Sequence, residues 1–149
     1  MQSGDPCDLG RFLEAQQRCY ARVLEELAAG EKVSHWMWFI FPQLKGLGVS
    51  ATARRFGLAG IDEARAYLAH PILGPRLREC ARAVLAIEGR SVHQILGSPD
   101  DLKLRSCLTL FAAAAVRTPG PEDRVFGAAL AKYYGGEPDP LTVQLLARG

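Results

Sequence analysis

Apolar residues recur at three- and four-residue spacing along almost the whole chain, and no stretch alternates apolar and polar positions over five or more residues. That periodicity predicts helices and no strands, so the expected fold class is all-α, with about seven to eight helices. The first helix is expected from Asp8 to Ala29, where Leu9, Phe12, Leu13, Tyr20, Val23, Leu24 and Leu27 make one apolar stripe and Gly30 supplies a C-terminal cap. Ser34 can cap a short helical segment that Pro42 halts. A turn over Lys45 to Val49 leads to Ser50 and a short helix through Phe56, broken at Gly57 to Gly60.

Asp62 to Ala69 reads as the next helix, closing at His70-Pro71. Pro71 or Pro75 opens another, whose Leu77, Cys80, Ala81, Val84, Leu85 and Ile87 face inward until Gly89. Ser91 starts a turn or two through Leu96. Ser98-Pro99-Asp100-Asp101 carries a helix-start signature: serine at the N-cap, proline at the first position, and acids against the helix dipole and in capping-box position. That helix should run to about Val116. A loop over Thr118 to Pro121, a helix over Glu122 to Tyr134 and a last short helix over Asp139 to Ala147 complete the reading. No repeat or linker interrupts the chain, so residues 1–149 are expected to form one domain with residues 1–7 as a loose arm.

Length and composition bound the class. At 149 residues and 48% hydrophobic content, such a chain buries roughly two thirds of its unfolded surface without disulfides. Cys7, Cys19, Cys80 and Cys107 form no C-x-x-C pair, so neither a zinc site nor a disulfide scaffold is expected, and a reducing cytoplasm is. No apolar run approaches a membrane span. A net charge of +2 is too mild to point to nucleic acid, which usually meets a basic stripe.

Polar groups interrupt the helical pattern at three places. Gln16 falls on the apolar stripe beside Tyr20, and burying either unpaired would cost on the order of 1 to 3 kcal/mol; each needs a partner, whether backbone, water or ligand. Ser34 to Gln43 holds both tryptophans of the chain with His35 and Gln43, a cluster that is either core or the floor of a pocket. Trp36 and Trp38 cannot share one helical face, so at most one lines a pocket with His35, where its ring offers a stacking platform. His35 fits a general acid or base, or a simple hydrogen bond to a carbonyl. The third place is Asp100 to Thr109: Lys103, Ser106 and Thr109 at three-residue spacing suit a phosphate or sugar, and Asp100 or Asp101 a catalytic carboxylate, with helix capping as the structural alternative for the acids.

Arg11-Phe12 with Ala15-Gln16 and Tyr20, the run His35 to Gln43, Gly46-Leu47-Gly48, Tyr67-Leu68 with His70-Pro71, Leu73-Gly74, Arg76-Leu77, and Asp100-Asp101 with Lys103, Ser106 and Thr109-Leu110-Phe111 resemble the DUF1810 family over nearly the whole chain. That family name supplies no activity. Its occasional calpastatin label does not suit this chain, because a calpain inhibitor should be a disordered polar repeat. The Phe12 to Gln16 pattern in a long first helix is loosely similar to the NADAR superfamily, which is associated with ADP-ribose derivatives and with N-glycosidic cleavage of riboflavin intermediates. The superfamily's glutamate-histidine pair has no counterpart at Leu9-Gly10 or Arg11-Phe12, so no catalytic residue carries over.

The resulting expectation is a helical protein that binds or hydrolyses a nucleotide-like or ADP-ribose-derived small molecule. Asp100, Asp101 and His35 are its candidate catalytic groups, and Gln16, Tyr20, Trp36, Trp38, Gln43, Lys103, Ser106 and Thr109 its candidate ligand contacts. No metal and no cofactor are expected, and the oligomeric state is left open. The alternative is a non-catalytic helical module in which every one of these polar groups is structural.

Overall fold

The computed structural model describes residues 5–116 and 123–148. Helices make up 67% of it, and no strands occur among the described residues. The helices in chain order are α1 (Gly10–Gln17), α2 (Tyr20–Ala29), α3 (Met37–Ile40), α4 (Ala51–Phe56), α5 (Ile61–Ala69), α6 (Leu73–Ala86), α7 (Val92–Leu96), α8 (Asp100–Ala115), α9 (Arg124–Tyr134) and α10 (Pro140–Arg148). One isolated parallel bridge, Leu44 to Leu58, ties the loop after α3 to the residue pair after α4. The expected Thr118 to Pro121 loop and the first four residues of the expected arm lie outside the described residues.

Helix α8 is central: Leu104, Cys107, Leu108, Leu110, Phe111 and Ala114 are all buried, and α5, α7, α9 and α10 pack around it. Its polar residues, Asp100, Asp101, Lys103, Arg105, Ser106 and Thr109, all lie in its first ten positions, and the remainder is apolar. Ring contacts then run through the core from Phe39 to Phe56, Phe12, Tyr67, Phe111 and Phe126, with successive centroids 5.3, 5.6, 5.1, 5.5 and 5.9 Å apart. Aromatic pairs at such spacing add about 0.5–1.5 kcal/mol each beyond their burial. The chain of rings fastens α3, α4, α1, α5, α8 and α9 to one another.

Two expected elements differ in detail. The single helix from Asp8 to Ala29 is broken at Arg18 and Cys19, where the Cys19 amide donates to the Gln16 carbonyl three residues back. Neither glycine nor proline marks the break. The groups on either side of it are held by distant elements: Gln16 bonds Phe39, Tyr67 and Arg76, and the Tyr20 hydroxyl donates to Glu79 on α6. The start of α8 is also displaced. The Asp101 amide, which a Ser98 cap would have bound, donates instead to the Gly97 carbonyl at 2.9 Å. Asp101 directs one oxygen to the Leu102 amide and the other toward His93. Ser98 therefore makes no cap, and the helix opens at Asp100.

Candidate functional site

The segment joining α2 to α3 is organised by one buried acid. Glu26, 9% exposed, accepts hydrogen bonds from the Val33 amide at 2.8 Å, the Ser34 amide at 3.0 Å, the Ser34 hydroxyl at 2.6 Å and the Trp36 indole N–H at 2.9 Å. Burial pushes its carboxyl up, but the bonds from Ser34, Val33 and Trp36 outweigh it and hold the pKa at about 2. The indole N–H of Trp36 thus has its partner inside the protein, and the residue is only 1% exposed. Sequence reasoning missed Glu26. The available signal was an acid beside Val23 and Leu27 at the edge of the apolar stripe.

Gln16 is a second hub. Its amide nitrogen donates to the Phe39 carbonyl at 2.7 Å and to the Tyr67 hydroxyl at 3.0 Å, and its oxygen accepts from Arg76 at 3.3 Å. Arg76 also lies 4.7 Å from the centre of the Tyr20 ring, while Tyr20 is half-buried. Desolvation pushes the phenols of both Tyr67 and Tyr20 well above their ordinary range. These groups join α1, α2, α3, α5 and α6, with Gln16 and Tyr67 buried and Tyr20 and Arg76 half-buried. Ser106 and Thr109, 7% and 5% exposed, donate to carbonyls one turn back in α8, Leu102 at 3.3 Å and Arg105 at 2.8 Å. Thr109 also accepts the Asp139 amide at 2.9 Å, which docks the start of α10.

A different group gathers where the segment before α3 meets the start of α8. The Lys32 ammonium sits 2.9 Å from one Asp100 oxygen, and Lys103 sits 3.2 Å from the other. Lys103 at the same time lies 4.0 Å from the centre of the Trp38 ring, and Lys32 lies 5.1 Å from that of Trp36. The Lys32 backbone amide donates to the Ile95 carbonyl at 2.7 Å, which fixes the segment on α7. Two cations thus share one carboxylate beside a half-buried indole. The Trp38 edge is covered by Gly48, where a Cβ would come within 3.1 Å of the ring and 2.8 Å of Ala53.

Of the residues picked from sequence, the fold brings Trp38, Asp100 and Lys103 together, with Lys32 as an addition that no sequence signal announced. Asp101 lies next to this group and contacts His93 at 3.4 Å. His35 is exposed and makes no hydrogen bond among the described residues. Gln43 is 6% exposed; its carbonyl accepts the Leu58 amide at 3.0 Å, and its side-chain amide makes no bond among the described residues. A cleft of about 750 Å³ lies apart from all of these, lined by Cys7, Arg11, Glu14, Lys45, Arg55 and Glu63 among others. Arg11 within it already donates to the carbonyls of Cys7, Arg55 and Gly57. Among the described residues no cluster of three or more His, Cys, Asp or Glu is placed to hold a metal ion, and no helix is long and apolar enough to cross a membrane.

An all-helical fold with this bonded aromatic segment defines a class, and comparison places the chain within it. The family described as protein of unknown function (DUF1810) matches residues 6–146, and the chain belongs to that family. The crystal structure of the conserved hypothetical protein Rv1873 from Mycobacterium tuberculosis is 55% identical, with a TM-score of 0.91 over 96% of this chain and 99% of that one. No curated protein matches this chain.

Proposed function

We propose that this protein binds a small anionic molecule carrying a planar ring, of nucleotide-like or ADP-ribose-derived kind, at Lys32, Trp38, Asp100 and Lys103. The observation that supports this reading is the Lys103 ammonium, 4.0 Å from the Trp38 ring and sharing Asp100 with Lys32. Three charged groups leave one net positive charge, in a place where the lysine side chains are only 7% and 20% exposed. A phosphate offers the lysines a stronger partner than one carboxylate, and drawing Lys103 toward it uncovers an indole face on which a base can stack. Asp100, released from its lysines, would then accept hydrogen bonds from a ribose.

Binding is favoured over hydrolysis of an N-glycosidic bond. Such cleavage needs a carboxylate or imidazole held against the reacting carbon, whereas His35 is exposed and Asp100 is tied to two ammonium groups. Four free cysteines suit a reducing cytoplasm as the setting, and one domain is the natural unit for the one hydrophobic cluster.

Calorimetric titration with AMP, ADP-ribose, adenosine and orthophosphate tests the proposal. At least one phosphate-bearing ring should bind saturably and more tightly than adenosine or phosphate alone, and Lys103→Met should weaken it by about tenfold or more. Absence of saturable binding by every phosphate-bearing ring, or unchanged binding by Lys103→Met, would reject it. Chromatography of the same mixtures reads any released base and so decides on hydrolysis.

A further inference from the structure

Lys32 is the more deeply buried of the two lysines that share Asp100, its side chain only 7% exposed. An ammonium so covered is costly unless its partners are held in place. Those partners are the Asp100 carboxylate at 2.9 Å and the Trp36 ring, whose centre lies 5.1 Å away.

The backbone around Lys32 is bracketed by Glu26. Helix α2 ends at Gly30, in the left-handed region at φ 76°. The chain then turns back, so that the Glu31 amide donates to the Glu26 carbonyl at 3.1 Å and the Val33 amide to Glu26 Oε1 at 2.8 Å. Between them, the Lys32 amide meets the Ile95 carbonyl. The same Oε1 accepts the Ser34 amide and the Trp36 indole N–H, and Oε2 accepts the Ser34 hydroxyl. Glu26 thus fixes both the backbone that carries Lys32 and the ring against which its ammonium rests. It makes no ion pair with Lys32 among the described residues, so its hold on that ammonium passes through hydrogen bonds of the segment and not through a direct charge contact.

We infer that Glu26 is a positioning residue of the Lys32–Asp100–Lys103 group: the reach of its carboxyl oxygens, and not its charge, keeps the Lys32 ammonium on Asp100. The consequence for ligand binding rests on the proposed function, whereas the placement of Lys32 does not. Two variants separate reach from charge. In Glu26→Gln the amide oxygen can stay with the three N–H donors while its nitrogen faces the Ser34 hydroxyl, which turns to accept. Glu26→Asp keeps the charge but withdraws the oxygens by about 1.5 Å, which takes bonds of 2.6 to 3.0 Å out of range.

Acetylation of the ligand-free full chain by a water-soluble N-hydroxysuccinimide ester, followed lysine by lysine in peptide mass spectra, reads the placement. Exposed Lys45 supplies the unprotected rate, and Lys132, which donates to the Leu85 and Ile87 carbonyls, reports whether the fold holds. Lys32 should react slowly in the wild type, within about twofold of that rate in Glu26→Gln, and about tenfold or more faster in Glu26→Asp, with Lys132 unchanged throughout. Should Glu26→Asp release Lys132 as well, Glu26→Gln decides alone. Lys32 as slow in a folded Glu26→Asp as in the wild type, or freed in Glu26→Gln while Lys132 stays protected, would overturn the inference. In a second arm, AMP binding should be kept by Glu26→Gln and weakened by Glu26→Asp. A wild-type chain that binds no phosphate-bearing ring rejects the proposed function, and the acetylation rates still decide the positioning role.

Discussion

At the scale of single residues, stability and function separate. Gln16 bonds Phe39, Tyr67 and Arg76, so Gln16→Leu strands a part-buried carbonyl and a buried phenol. The expected loss is about 2 to 4 kcal/mol in a denaturant titration; an unchanged or raised stability would show that the network relaxes around an apolar side chain. Glu26 gives a pH-dependent counterpart. With a folded-state pKa near 2 against an ordinary 4.5, it contributes about 3 kcal/mol at neutral pH, lost as pH falls from about 4.5 toward 2. The stability gap between the wild type and Glu26→Gln should therefore be full above pH 5 and should shrink through that window. A gap independent of pH would contradict this account of Glu26. Sequence alone shows that Gln16 needs a partner, because an amide on an apolar stripe must be bonded, but it cannot name three partners that lie 23, 51 and 60 residues away.

At the scale of elements, periodicity locates most helices to within a residue or two, and it fails where distant contacts decide. The break between α1 and α2 has no local mark, and the groups beside it are held from afar, Gln16 by α3, α5 and α6 and Tyr20 by α6. The start of α8 carries a strong local signature that loses to a backbone bond between Asp101 and Gly97. Asp101→Ala should still cost about 0.5 to 1 kcal/mol through the dipole and its bond to the Leu102 amide, as read from thermal midpoints; no change would remove both contributions. The α5–α6 junction depends on an absence of side chain: a Cβ on Gly74 would lie 2.2 Å from the Leu68 carbonyl oxygen. Gly74→Ala should destabilise the fold by about 2 to 3 kcal/mol, since backbone and not a flexible side chain must yield. A neutral result there would mean that the two helices separate freely.

At the scale of the whole molecule, the aromatic run sends its two indoles into different surroundings, Trp36 into the core and Trp38 to a half-buried place beside Lys103. Trp36 and Trp38 differ by two positions, and on a short helix that spacing sends one ring into the core and the other toward α8. Which goes where follows from Glu26 and Lys103, residues far outside the run. The all-helical fold was legible because its periodicity is local, whereas the candidate site is assembled by Lys32, Asp100 and Lys103, whose meeting depends on how α7 and α8 receive the α2–α3 segment. Under the proposed function Trp38 is the ligand-facing indole and Trp36 the core one. Tryptophan fluorescence with acrylamide quenching, measured on Trp36→Phe and Trp38→Phe with and without AMP, tests it most directly. The indole remaining in Trp36→Phe should be quenched by acrylamide and protected by AMP, while the indole remaining in Trp38→Phe should resist quenching and ignore AMP. Equal resistance of both indoles, with no response to AMP in either variant, would contradict it.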